Sequence, residues 1–417
     1  MVVKGRPPSP HLLLILLILL LTLVALIAAI VLIAPQMPRL RDFDQTFYPA
    51  ARYTLAGENP YTAEYIETDQ GAPPDFFSPA WLLPILLPFG LLPQEIARTV
   101  WVLFLVGVTS AALLQMQAWG FKGLRPLLLL LLPWALITLL FGQVTPLVLL
   151  GTIWALNLVY GGGGKAEHRG AQRRHRVAQR PVRFSSQENL HEEKPDRSGW
   201  RQTAQLVLAF LLIGIKPQLG IFIAAPLLLE MLWQRDRRLI GLAIVGGLLL
   251  GGTLLITPPW LISKAAAVQE ITAPLWKSTL ERELTLWRWP LWLAQPVRVL
   301  VVLVMARWAW LQKGTSPLWW AGWLTAVLII TPSTRAYDGI LLLPILGLMV
   351  IHRRWQLALF VILLALYIQL PIGELGSVVA PLVAWLLFVP WRGMAQPPTT
   401  WPTSDPAPHE VQAVGKP

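Results

Sequence analysis

Pro79-Ala-Trp-Leu-Leu-Pro84-Ile-Leu-Leu-Pro88-Phe-Gly-Leu-Leu92 is the stretch on which the fold turns. It is apolar throughout, yet shorter than the roughly 20 residues of a membrane-crossing helix. Its internal prolines also remove helix hydrogen bonds. The stretch reads as a juxtamembrane or half-inserted element that returns to the side it came from. Outward from it, comparable apolar runs cover 11–34, 97–117, 124–140, 143–160, 202–215, 219–233, 239–257, 291–311, 317–331, 339–351, 355–370 and 376–390. With 79–92 set aside these make about 12 crossings. Several are shorter than about 20 residues, which marks them as candidates for broken or re-entrant helices.

Composition points the same way. Of 417 residues, 55% are hydrophobic and only 13% charged, and the mean hydropathy is +0.56. Soluble domains average about 25% charged, so the expected class is an all-α polytopic membrane protein. The run 11–34 follows Lys4 and Arg6 and exceeds a signal-peptide core of roughly 7–15 residues. It reads as a retained first transmembrane helix. The 21 tryptophans fit enrichment at membrane interfaces. There is no cysteine, which excludes disulfides and thiolate metal sites. No P-loop, dinucleotide fingerprint, zinc-protease helix or nucleophile elbow occurs, and nothing signals nucleic acid.

The net charge of +12 is topological, since Lys and Arg mark cytoplasmic loops. With residues 1–10 inside, the basic positions sort to the inner face: Lys122/Arg125, the 161–201 loop, Arg235/Arg237/Arg238, Arg307/Lys313, Arg353/Arg354 and Arg392. The 35–78 loop falls outside, with three arginines against seven carboxylates, whereas 161–201 holds ten Lys/Arg against five Asp/Glu. Counting 79–92 as a crossing would put that basic loop outside, against the rule. The 161–201 loop opens on Gly161–Gly164 and reads as a disordered linker. Its His168, His175 and His191 match no defined metal spacing. The 393–417 tail is proline-rich and also reads as disordered. The body of the protein is thus 11–392, with an outer loop and juxtamembrane segment at 35–96.

This sorting places the unusual polar residues on one face. Asp42 and Asp44 open a stretch, Phe47-Tyr48-Pro-Ala50-Ala51, with a helical pattern, and Gly57-Glu-Asn59-Pro60-Tyr61 then makes a turn. The plain reading of either acid is a surface carboxylate or a helix N-cap. The chemical reading is a general base taking a proton from an attacking hydroxyl. Lys216, between Leu211–Ile215 and Leu219–Phe222, is either a snorkelling lysine or a point charge for a lipid phosphate. Gln143 is a candidate hydrogen-bonding residue in a turn. In Thr331–Asp338, Arg335 is a candidate phosphate ligand, and Asp338 would bind a sugar hydroxyl or hold Arg335. Asp75-Phe76-Phe77-Ser78-Pro79 is a candidate wall for a lipid tail. Polar groups from distant parts of the chain are expected to converge.

In their order, these motifs resemble glycosyltransferase family 87, the polyprenol-phosphate-mannose-dependent mannosyltransferases of the GT-C superfamily. The pieces are Asp42-Phe43 with Tyr48-x-Ala50-Ala51, then Leu55-x-Gly57-x-Asn59-Pro60-Tyr61. Phe77-Ser78-Pro79, Gly142-Gln143, Lys216-Pro217 and Tyr337-Asp338 before Leu-Leu-Leu-Pro344 follow. The family commonly has Tyr-Pro-Pro where this chain has Phe77-Ser78-Pro79. The resemblance implies a GT-C-like bundle whose first outer loop carries juxtamembrane helices. It implies a polyprenyl-phosphate sugar donor, a lipid or glycan acceptor, and transfer with inversion. An early acid of the loop would be the base, Asp42 first and Asp44 second. Tyr48, Asn59, Tyr61, Gln143, Lys216, Arg335, Tyr337 and Asp338 would line the substrates. No cofactor or metal is required by this scheme. The alternative is a transporter or flippase of lipid-linked sugars, which usually shows internal repeats; the sequence has none.

Overall fold

The computed structural model describes residues 32–61, 78–160, 197–256, 290–311, 316–331, 336–351 and 379–388, with a few single positions besides. Segment 1–27, positions 62–77, the 161–196 part of the basic loop, most of 257–289 and 363–378, Arg335 and the C-terminal tail lie outside the described residues. Every regular element among the described residues is helical, and no strand occurs among them. Contacts divide the chain into two units.

The first unit holds the start of the expected outer loop. A helix begins at Arg41, runs through a π-helical turn at Phe43–Phe47, and continues as α1, Tyr48–Leu55. A 3-10 turn at Ala80–Leu82 leads into α2, Leu83–Gly90, and α3 follows at Gln94–Gln115. The segment read as returning rather than crossing is therefore 11 helical residues, Ala80–Gly90, about half the length a crossing needs. Aromatic rings make the core of this unit. Trp101 stacks on Phe43 at 5.3 Å and on Phe104 at 5.4 Å, and meets Phe89 edge-on at 5.0 Å. Such offset and edge geometries are the favourable ones for ring quadrupoles. The indole N–H of Trp101 donates to the Gly142 carbonyl at 2.9 Å.

Most of the helices belong to the second unit. These are α4 (Pro133–Phe141), α5 (Thr145–Tyr160), α6 (Arg197–Gly214), α7 (Pro217–Trp233), α8 (Arg238–Ile256), α9 (Ala294–Leu311), α10 (Pro317–Ile330), α11 (Leu343–Ile351) and α12 (Val379–Phe388). Proline sets several of their starts. A residue before proline is pushed out of the helical region, and Leu132, Lys216 and Ser316 all have non-helical ψ values, 146°, 88° and 166°. The run 124–140 is consequently two pieces, a 3-10 stretch Arg125–Leu131 and then α4. The run 339–351 likewise divides into the 3-10 turn Ala336–Leu342 and α11.

Helix α10 is buried at every position except Leu318, which is half-buried. Ser316 caps it, accepting from the Trp319 N–H at 3.2 Å. Three of its indoles find acceptors on other helices: Trp319 on Met305 O of α9, Trp320 on Tyr160 Oη of α5, and Trp323 on Phe222 O of α7. A buried indole N–H needs such a partner. Tryptophan therefore serves the core here, with Trp101, Trp134 and Trp320 fully buried, as well as the outside, where Trp233 is 88% and Trp310 84% exposed. The fully buried tryptophans do not fit the interfacial reading of the tryptophan content.

Two helices among the described residues are long and apolar enough to cross a membrane, Gln94–Trp119 and Leu291–Leu311. Shorter apolar helices include Thr145–Tyr160, Pro217–Trp233 and Pro317–Ile330.

Candidate functional site

In the first unit the two acids have different surroundings. Asp44 is buried, and its carboxylate accepts from Arg98 Nε at 2.8 and 3.1 Å, from Gln94 Nε2 at 3.1 Å and from the Leu40 N–H. Arg98 is itself buried, and its Nη1 donates to the Met37 carbonyl at 3.0 Å. One guanidinium thus ties both ends of the 37–44 turn to α3. Asp42 lies between those tie points. It is half-buried and makes no side-chain capping bond to the helix it begins, so the N-cap reading does not describe it. The π-turn that follows is closed by the Tyr48 N–H on the Phe43 carbonyl. Its extra residue per turn offsets the face α1 presents from the face that carries Asp42, and π-turns of this kind are frequent at functional sites.

The remaining motif residues of this loop build the scaffold. Tyr48 Oη donates to the Leu92 carbonyl at 3.0 Å, and Arg52 Nη1 to the Gly90 carbonyl at 3.3 Å. Ala50 and Ala51 are fully buried where α1 meets α2. A Cβ on Gly90 would lie 2.9 Å from Ala51 Cβ, so small residues on both sides set the approach. Just past the end of α1 lies Gly57, whose φ of +79° favours glycine. Beyond it Asn59 Oδ1 accepts from the Tyr61 N–H at 2.9 Å, an Asx turn. Burial pushes the Tyr61 phenol well above its usual range, so it stays protonated.

The second unit joins two of the predicted residues. Lys216 Nζ donates to Asp338 Oδ1 at 2.7 Å, and Thr145 Oγ1 donates to the same oxygen at 2.9 Å. All three are buried, with Asp338 only 1% exposed. They come from the start of α5, the residue before α7, and the turn before α11. Gln143 is buried two residues ahead of Thr145. Lys216 therefore does not snorkel outward; its charge is paired inside the unit. Asp338 holds Lys216, where the sequence had offered Arg335, and Arg335 lies outside the described residues. The backbone of Tyr337 forms part of the 3-10 turn. Asp42, Asp44, Tyr48, Asn59 and Tyr61 gather in the first unit, and Gln143, Lys216 and Asp338 in the second.

Gly142, which precedes Gln143, belongs to the first unit. Its φ is +68°, and a Cβ there would lie 2.8 Å from Phe43 Cβ. Glycine is needed twice over, for the left-handed conformation and for the close approach. Sequence reasoning missed Arg98, Gln94 and Thr145. Arg98 carried a signal, a lone cation inside the apolar run 97–117, where an ionisable group implies a partner. Thr145 carried none, because hydroxyls in helices usually bond to their own backbone. The chain matches no family model, no curated protein and no solved structure.

Proposed function

We propose that this protein is an integral membrane glycosyltransferase. It transfers a hexose, with mannose the first expectation, from a polyprenyl-phosphate donor to a lipid-linked or glycan acceptor on the outer face. Asp42 is the general base. One observation carries that choice: the Asp44 carboxylate is committed to Arg98, Gln94 and the Leu40 N–H, while the neighbouring Asp42 is only half-buried. A base must be reachable by the proton it takes. The acceptor hydroxyl oxygen attacks the anomeric carbon and its proton passes to Asp42. The bond from that carbon to the phosphate oxygen breaks on the opposite face, and polyprenyl phosphate leaves with the electron pair. Inversion follows. Lys216 is the candidate cation for the phosphate charge, which then competes with Asp338 for the ammonium.

Large exposed apolar side chains on α7, α8 and α9, among them Leu229, Leu232, Ile240, Leu248, Leu300 and Leu303, support the membrane part of this reading. Apolar faces of that extent mark contact with lipid or another protein.

The test is transfer of radiolabelled sugar from polyprenyl-phosphate mannose by the purified full chain in lipid. Asp42→Asn is expected to lose roughly 10²–10⁴-fold in rate, the usual worth of a general base, with its fold retained. Full activity in Asp42→Asn would refute that choice of base, and full activity in both Asp42→Asn and Asp44→Asn would refute a base at either acid. A wild type that transfers no sugar from any of several polyprenyl-phosphate donors, yet moves them between leaflets, would favour the flippase.

A further inference from the structure

An apolar groove of about 570 Å³ runs between α6, α7 and α8 of the second unit, and its lining includes none of Thr145, Lys216 and Asp338. Leu211, Leu228 and Leu242 line its walls, and Trp81 closes one side, fixed by its indole N–H on the Leu211 carbonyl at 3.1 Å. Gly246 and Gly247 form part of its floor, and a Cβ on either would meet open space. Leu229 and Leu232 also line a second hollow, which contains Trp233 and Arg235. The two hollows therefore share a wall. One is greasy; the other ends in a cation and an exposed indole.

Charge around the α7–α8 turn is asymmetric. Asp236 is taken by Arg238, with contacts of 2.8 and 2.9 Å from Nε, and Arg238 also donates to the Leu158 carbonyl. Glu230 accepts from Gln234. Arg235 and Arg237 are exposed, and no carboxylate among the described residues pairs with either. Length is the second argument. From Leu239 at the turn to Leu249 at the far end, the groove follows ten residues of α8, about 15 Å of helix rise. That is about half of a bilayer hydrocarbon core of about 30 Å, or one leaflet.

We infer that this groove holds one anionic phospholipid of the inner leaflet, its acyl chain along α8 and its phosphate at Arg235 and Arg237. The inference rests on the membrane part of the proposed function and on the inner placement of these arginines, not on sugar transfer. Arginine suits a phosphate through its fork of donors. Basic side chains just inside a membrane attract anionic headgroups, and Trp233 supplies the amphipathic ring of the headgroup level.

The test uses the full chain purified in mild detergent. It is offered phosphatidylglycerol, phosphatidylcholine or inorganic phosphate, and lipid retention is read by native mass spectrometry beside the melting temperature. One phosphatidylglycerol per chain is expected, held at least tenfold better than phosphatidylcholine, with no melting shift from phosphate alone. Arg235→Gln/Arg237→Gln, which touches only exposed side chains, is expected to erase the tenfold preference. Gly247→Leu, which fills the groove, is expected to abolish retention of the lipid itself. Equal retention of the two lipids, retention of neither, a shift reproduced by phosphate, or an arginine variant that behaves as wild type would each overturn the inference. Alkaline carbonate washing of native membranes separates the two failures. A chain that stays in the pellet but shows no lipid preference refutes the groove alone, whereas a chain that washes off refutes the membrane reading.

Discussion

At the scale of single residues, Asp42 and Asp44 show how two positions divide labour. Asp44 sits where ionisation is compensated, facing a buried guanidinium at 2.8 Å. Removing one half of a buried ion pair leaves the other charge without compensation and costs about 3–5 kcal/mol, whereas exchanging both halves for apolar groups is often neutral. Arg98→Met and Asp44→Leu are therefore each expected to lower the melting temperature substantially. The double variant should regain much of the loss, giving a large coupling energy in a double-mutant cycle. Additive losses would mean that the pair is not coupled. Asp42→Asn keeps the size of the side chain at a half-buried position, and its melting temperature, measured beside the rate, separates a loss of fold from the proposed loss of chemistry.

At the scale of elements, much of the helical pattern was legible. Apolar runs located α3, α5, α7, α8, α9 and α10, because each is a largely apolar segment with few charges and with proline or a polar turn near its ends. The helix after Asp44 and the turn at Gly57–Tyr61 were legible from small and turn-forming residues. Less visible was what the family-like motifs do. Ala50, Ala51 and Gly142 look like recognition elements in a string of letters, yet their environment is packing: neighbouring backbones approach too closely for larger side chains. A sequence lists such residues without their distances, so a tight contact and a binding motif read alike. Gly142→Ala puts this to the test. It forces a Cβ against Phe43 at φ +68°, where the conformational cost alone exceeds about 1 kcal/mol. A measurable fall in the unfolding midpoint is expected; an unchanged midpoint would contradict the packing account. The Thr145 contact was equally hidden, since its partner lies 193 residues away.

For the whole molecule, charge carries the proposed orientation and, locally, acid stability. The proposed inner placement of the 161–201 loop is tested by cysteine labelling in a chain that has no cysteine of its own. Ser186→Cys should resist an impermeant reagent in intact cells and react after permeabilisation; labelling in intact cells would reverse the topology. At the α7–α8 turn, burial works against ionisation of Asp236. The hydrogen bonds and charge of Arg238 outweigh it and hold the carboxyl below its usual value. A depressed carboxyl stabilises the fold above its unfolded pKa, about 3.9. That stability is lost as pH falls through the lower folded value, because the unfolded chain then binds the extra proton. Wild type should therefore exceed Asp236→Asn in melting temperature at pH 6, and the difference should close below about pH 4.

The Lys216–Asp338 pair also dates the assembly of the second unit. Its halves are 122 residues apart, and ribosomes add roughly 5–20 residues per second. Lys216 is made about 6–24 s before its counter-ion exists. Throughout that interval the ammonium has no Asp338 to pair with. Only the arrival of the 336–342 turn supplies that carboxylate. The last fifth of the chain thus completes an ion pair whose other half was synthesised long before it.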